Sequence, residues 1–255
     1  MGDRINNDVI IEIMKYPGDF INLVYDSKWQ GRYVGIGNPE AKILIVGKEC
    51  ALDEKRDPSL YDKTFKQNLT DWKDNVEKEI GFDKIEEWTC NEEIFPRYNP
   101  LLPFYKQKFT VLKHHATGEK KGKIRSGEGG TSATWYNYQK VFNMYLERIG
   151  KNPNREYIDF FKYCFVTELS EVCRPNNRNL QKEERLETEK SIAKRYELIC
   201  ATSFFQKFDK VILACGKYAD KLNIQRMFGN AQIIPTCQLS YAVSDECLRR
   251  IANEL

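Results

Sequence analysis

Residues 41–51 read Ala41-Lys42-Ile43-Leu44-Ile45-Val46-Gly47-Lys48-Glu49-Cys50-Ala51. Ile43 to Val46 is an uninterrupted apolar run, mostly β-branched. It stops at Gly47 and begins shortly after Pro39. A short run bounded by such residues predicts a strand buried on both faces, as in parallel sheets. In open α/β sheets, ligands bind beyond the carboxyl ends of the strands. Lys48, Glu49 and Cys50 therefore stand where chemistry is expected. The plainer alternative is a β-to-loop turn with two solvated charges.

Working outward, three further runs predict strands: Phe165-Val166-Thr167-Glu168-Leu169, Val211-Ile212-Leu213-Ala214-Cys215 before Gly216, and Gln232-Ile233-Ile234-Pro235. Helical periods lie between them. Trp72, Val76 and Ile80 predict a helix over 69–80. Trp135, Tyr138, Val141, Phe142, Tyr145 and Ile149 predict one over 134–150, closed by Gly150. A long helix is expected over 183–208, with Leu186, Ile192, Ala193, Tyr196, Ile199, Cys200 and Phe204 as its apolar stripe. A helical stretch over 218–222 follows. Ser244 is the expected N-cap of a closing helix that turns Cys247, Leu248 and Ile251 inward. A short helix is also expected over 8–16, while 20–29 show no clean period and 33–39 read as a turn-rich lead-in. Alternating strands and helices predict a parallel sheet covered on both faces.

Residues 52–134 interrupt this alternation as an insertion in a single domain spanning 1–255. Pro96, Pro100 and Pro103 stiffen its 89–105 stretch. Residues 106–130 carry seven Lys and Arg against two Glu, together with His114 and His115. That stretch reads either as an electrostatic arm for phosphates or as a solvated β-hairpin.

Composition narrows the function classes. The chain has 255 residues, 41% of them hydrophobic, and a net charge of +3, so charge alone points weakly to a polyanionic partner. No run of 18 apolar residues occurs, and the N-terminal stretch lacks a secretory pattern; a cytoplasmic protein with no membrane partner is expected. The eight cysteines are scattered without a CxxC pair, so reduced thiols are expected. No GxGxxG, GxxxxGK[ST] or GxSxG motif occurs, which argues against dinucleotide, phosphate-loop and serine-hydrolase chemistry. The only histidines are adjacent, so no histidine-ligated metal is expected.

What remains are the loops after the four strands. Lys48, Arg174, Arg178 and Lys217 mix there with Asn176, Asn177, Gln238 and Ser240. That mixture suits phosphate contacts with readout of a base edge; the alternative is the polar rim of any α/β protein.

In order, these segments resemble the uracil-DNA glycosylase superfamily, nearest its iron-sulfur-containing bacterial and archaeal branch. NPEAKILIVG at 38–47 is similar to the family lead-in NPxAxILIVGEAPG. TELSEVCRPNNR at 167–178, with Glu183-Glu184, is similar to TNxVKCRPPNNRxPxxEE. DKVILACGKYA at 209–219 is similar to PKxIxxLGxxA, and TCQLS at 236–240 faintly echoes the HPS segment. The likeness covers about 36–51 and 135–255; the segments before Tyr33 and over 52–134 look foreign to it. It implies a three-layer α/β/α sandwich around a four-stranded parallel sheet. The implied activity is hydrolysis of an N-glycosidic bond in damaged or deaminated DNA, with DNA or another nucleic acid as partner.

Carried over residue by residue, Glu49 stands where some members use an Asp to activate water, and Gln238 stands at the His that assists the departing base. A glutamine amide donates a hydrogen bond there but no proton. Glu168 stands at the base-reading Asn; as an ionised carboxylate it would only accept, suiting an amino group and repelling O4 of uracil. Trp135 lies where a residue stacks on the flipped base, and Lys48 completes the base-binding set. Arg174, Asn176, Asn177, Arg178, Lys217 and Ser240 are the expected nucleic-acid contacts. Cys173 and Cys200 match two cluster cysteines, but no Cys precedes Cys50, so no cluster and no other cofactor is expected. The altered GKECA segment and the missing His leave a second reading: a non-catalytic nucleic-acid-binding or scaffold protein that keeps the fold.

Overall fold

The computed structural model describes residues 16–50, 52, 54–55, 58–79, 109–114, 124–129, 133–153, 155, 158–174, 180–220, 222–240 and 243–255. The described strands are β1 (Ile36–Gly37), β2 (Ile43–Gly47), β3 (Phe109–His114), β4 (Ile124–Gly129), β5 (Phe165–Glu168), β6 (Lys210–Leu213) and β7 (Gln232–Pro235). The described α-helices are α1 (Gly18–Tyr25), α2 (Pro58–Tyr61), α3 (Asn68–Glu77), α4 (Ala133–Arg148), α5 (Lys182–Cys200), α6 (Ile224–Phe228) and α7 (Asp245–Glu254). The helix expected over 8–16 and the proline-rich 89–105 stretch lie outside the described residues.

Five strands form one sheet in the order β1-β5-β2-β6-β7. β5, β2, β6 and β7 run parallel, and β1 pairs antiparallel with β5 at the edge. The four expected strands are thus the parallel part, and the lead-in supplies a fifth. β2 is hydrogen-bonded on both sides, with Ile45 opposite Val166 on one flank and Ile212 on the other. Its side chains alternate between two apolar clusters: Leu44 and Val46 face one, Ile43 and Ile45 the other. Helices α1, α3, α5 and α6 line the first cluster, and α4 and α7 line the second. Among the described residues, no helix is long and apolar enough to cross a membrane.

Several local expectations change in the fold. Residues 20–29 form α1 and a 3-10 turn, because Phe20, Leu23, Val24 and Trp29 all bury against the sheet. From the segments that look foreign to the resemblance, Phe20, Leu23, Val24, Trp29, Leu69 and Trp72 are therefore part of the core. Asn68 and Trp72 of α3 both hydrogen-bond the Gly35 carbonyl, at 3.0 and 2.8 Å, fixing the lead-in against the sheet. Gly35 has φ +140°, and a Cβ there would lie 2.3 Å from the Val166 carbonyl, so only glycine fits. The basic 106–130 stretch contains the antiparallel pair β3–β4, which is the hairpin reading. Ile149 is exposed because α4 ends at Arg148.

The long helix is also corrected. α5 stops at Cys200, and Phe204 belongs to a following 3-10 turn. Leu186 and Ala193 are exposed; the buried line is Thr188, Ile192, Arg195 and Ile199. Residues 216–219 form a 3-10 turn rather than a helix over 218–222, and α6 follows. At the C-terminus, Ser244 caps α7 as expected, its hydroxyl accepting from the Cys247 N–H.

Ile45 is wholly buried, whereas Leu186 is 48% exposed. Ile45→Ala is expected to lower unfolding stability by about 2–5 kcal/mol, and Leu186→Ala to change it by less than about 0.5 kcal/mol. Urea denaturation of the two variants checks the difference.

Candidate active site

Beyond the sheet, the loops after β2 and β5 continue side by side. Leu169 N donates to the Gly47 carbonyl, Ser170 N to Lys48, and Arg174 N to Cys50, at 2.9, 3.0 and 2.9 Å. This backbone zipper brings Arg174 onto Glu49, 125 residues away in the chain. Arg174 Nη1 and Lys48 Nζ each lie 3.2 Å from Glu49 Oε1. The Glu49 side chain is only 4% exposed, and the two cations 15% and 18%. A carboxylate this buried is stable only when it is paired. Both cations sit at Oε1, while Oε2 is buried with no hydrogen-bond partner among the described residues. Lys48 Nζ also lies 4.2 Å from the centre of the Tyr218 ring, so the turn after β6 closes the site from its other flank. Strand order reverses here, since β2 leads first to β5 on one side and then to β6 on the other. Such switch points are where α/β sheets bind ligands.

Glu168 is the last residue of β5 and sits opposite Gly47 in the register. A Cβ on Gly47 would lie 2.3 Å from Glu168 Oε2, so the glycine makes room for the carboxyl group. Burial, followed by the Glu49 carboxylate, pushes the Glu168 carboxyl up to about 8, against an opposing pull from Arg195. Glu168 is therefore mainly protonated at neutral pH. Its Oε2 is likewise buried without a hydrogen-bond partner among the described residues. The Tyr33 and Tyr138 hydroxyls are held well above their ordinary range, by burial first and by Glu168 second. The thiols of Cys173 and Cys215 are pushed up to about 12, mainly by burial and in part by Glu168.

These facts revise one expectation. As a protonated acid, Glu168 both donates and accepts, much as an amide does, so it need not repel a carbonyl oxygen. Two carboxyl groups thus share the site in different surroundings: Glu49 is paired with two cations, and Glu168 is raised toward its protonated form. Pairs with divergent protonation are how acid and base roles are divided.

The structure brings Lys48, Glu49, Glu168 and Arg174 together. Lys217 is exposed in the turn after β6, and Gln238 is exposed in the loop after β7. Ser240 is half-buried in that same loop, which the Asn137 amide pins by donating to the carbonyls of Leu239 and Ser240 at 3.1 and 3.3 Å. Trp135 is half-buried and packs edge-on against Phe161, with ring centres 5.0 Å apart. Asn176, Asn177 and Arg178 lie outside the described residues. Cys173 packs near Tyr33, Leu52 and Phe65, whereas Cys200 belongs to the Trp29 cluster, so these two do not join in one ligand set. Among the described residues, no group of three or more His, Cys, Asp or Glu is arranged to hold a metal ion.

Sequence reading misses Arg195, Tyr218 and the close approach of Glu168 to Gly47. For Arg195 a signal exists: it falls on the inward period Thr188, Ile192, Arg195, Ile199, where an apolar residue is expected. Compared with known proteins, the chain matches no protein-family model, no curated protein and no solved structure.

Two outcomes are expected. Between pH about 4.5 and about 8, folded Glu168 holds a proton that the unfolded chain has released. Stability contributed by this group is complete below that window and is lost as pH rises through it, with a slope approaching about 1.4 kcal/mol per pH unit. Urea denaturation across this range should show the decline in the wild type and its absence in Glu168→Gln. Gly47→Ala should push the carboxyl aside and bring its titration midpoint down from about 8 toward the ordinary 4.5, read by carboxyl NMR.

Proposed function

We propose that this protein is a divergent uracil-DNA glycosylase-like hydrolase that cleaves an N-glycosidic bond in damaged or deaminated DNA. The carrying observation is the carboxyl pair at the switch point: ion-paired Glu49 beside protonated Glu168. Four parallel strands with helices on both faces agree with the sandwich that the motif order implies. Breaking a C1′–N bond leaves positive charge on the sugar and negative charge on the departing base, so one anion and one proton donor suit the two sides.

In this reading the water oxygen bonds to C1′ as the C1′–N pair departs with the base. Glu49 orients that water, accepts its proton and faces the oxocarbenium-like sugar. The Glu168 acid gives its proton to the departing base, or holds a base carbonyl by donating to it. Exchange with water then restores both groups. Arg174 and Lys48 pair with Glu49 and orient it, so Arg174 serves the pair rather than a phosphate. Exposed Lys217 and Gln238 remain for the nucleic-acid backbone and the leaving base, and Trp135 for stacking on it.

The test is base release from oligonucleotides carrying uracil, hypoxanthine or xanthine. Release is expected from at least one, reduced about 10²- to 10⁴-fold in Glu49→Gln and in Glu168→Gln. The wild-type rate should fall as pH rises through about 8, where Glu168 loses its proton. No release from any lesion overturns the hydrolase reading; salt-sensitive DNA binding in that case indicates the non-catalytic binding protein.

A further inference from the structure

We propose that Arg195 is the positioning residue of the carboxyl pair: its guanidinium clamps the end of β5 so that Glu168 stays over Gly47 and beside Glu49. This deepens the paired-carboxyl reading and rests on it, since it concerns how the same site is held.

Arg195 is fully buried on the inner face of α5. Its three donor positions diverge onto one short segment. Nε donates to the Glu168 carbonyl at 2.5 Å, Nη2 to the Thr167 hydroxyl at 2.7 Å, and Nη1 to Glu171 Oε1 at 3.0 Å. Thr167 passes its own hydroxyl proton to the Val34 carbonyl at 2.8 Å. Glu171 also pairs with Arg32 and accepts from the Tyr33 N–H. One turn earlier on the same helix, Ser191 Oγ accepts from Glu171 N at 2.9 Å. The guanidinium lies 5.4 Å from the centre of the Trp29 ring and 5.9 Å from that of Tyr33.

A guanidinium is the side chain suited to this place. Its planar fork fixes three donors at once, whereas an ammonium is a single point charge. Bonding a strand-end carbonyl, a hydroxyl and a carboxylate together ties the end of β5 to α5 at three points. The charge is also felt at the site. Glu168 is faced by Glu49, Tyr33, Tyr138, Cys173 and Cys215, and Arg195 is the positive group that pulls its carboxyl down.

The experiment is carboxyl NMR of full-length protein labelled at glutamate, with Glu168→Gln giving the assignment. In the wild type, the Glu168 signal titrates near about 8, and the Arg195 Nε–H resonance shifts with the same midpoint. Arg195→Met is expected to move the Glu168 midpoint upward, and Arg195→Lys to return it partway. An unchanged midpoint in a folded Arg195→Met variant overturns the proposal. If that variant does not fold, the wild-type Nε–H resonance decides: a response that ignores the Glu168 titration overturns it equally. Titration as expected without base release refutes the glycosylase reading alone, and base release with an unmoved midpoint refutes the role of Arg195 alone.

Discussion

The structure depends on β2 being hydrogen-bonded along both edges and buried on both faces. A strand in that position has no solvent side, so every residue from Ile43 to Val46 must be apolar, and their alternation supplies both cores at once. Its neighbours inherit their register from it. β5 aligns Glu168 with Gly47, and β6 delivers the turn that carries Tyr218. Where the apolar run stops, the sheet can no longer satisfy itself, and the loops that follow carry the polar groups.

The site shows two ways of burying a carboxyl group. Glu49 keeps its charge and takes two cations. Glu168 has no ion pair among the described residues, lies beside the first carboxylate, and is raised toward its protonated form. With its midpoint raised to about 8, ionising it at pH 7 is uphill. The glycine at position 47 belongs to this arrangement, because any side chain there would occupy the space of the carboxyl group.

The first cluster is built largely from aromatic residues distant in sequence. Phe20 of α1 meets Trp72 of α3, Phe165 of β5 and Phe204 after α5, with ring centres 4.9 to 5.8 Å apart. Residues of α1 and α3 therefore help seal one face of the sheet. Trp29 joins this face to the charged network, stacking on Phe205, hydrogen-bonding the Thr202 hydroxyl and lying over Arg195. Apolar packing and the clamp on β5 are one continuous contact.

The sequence by itself determined what depends on neighbours along the chain. The four parallel strands, a helix over 134–150 that the structure bounds at Ala133–Arg148, and the Ser244 cap follow from local periods and breakers, because backbone hydrogen bonding and capping are satisfied within a few residues. It also marked Glu49 beyond the end of one strand and Glu168 near the end of another. Only the tertiary structure decided that Arg174 reaches Glu49, that Glu168 is an acid rather than an anion, and that Leu186 faces water while Arg195 is buried. Each of these is set by desolvation and by charges brought together from distant segments. A chain read in order contains the groups but not the distances between them.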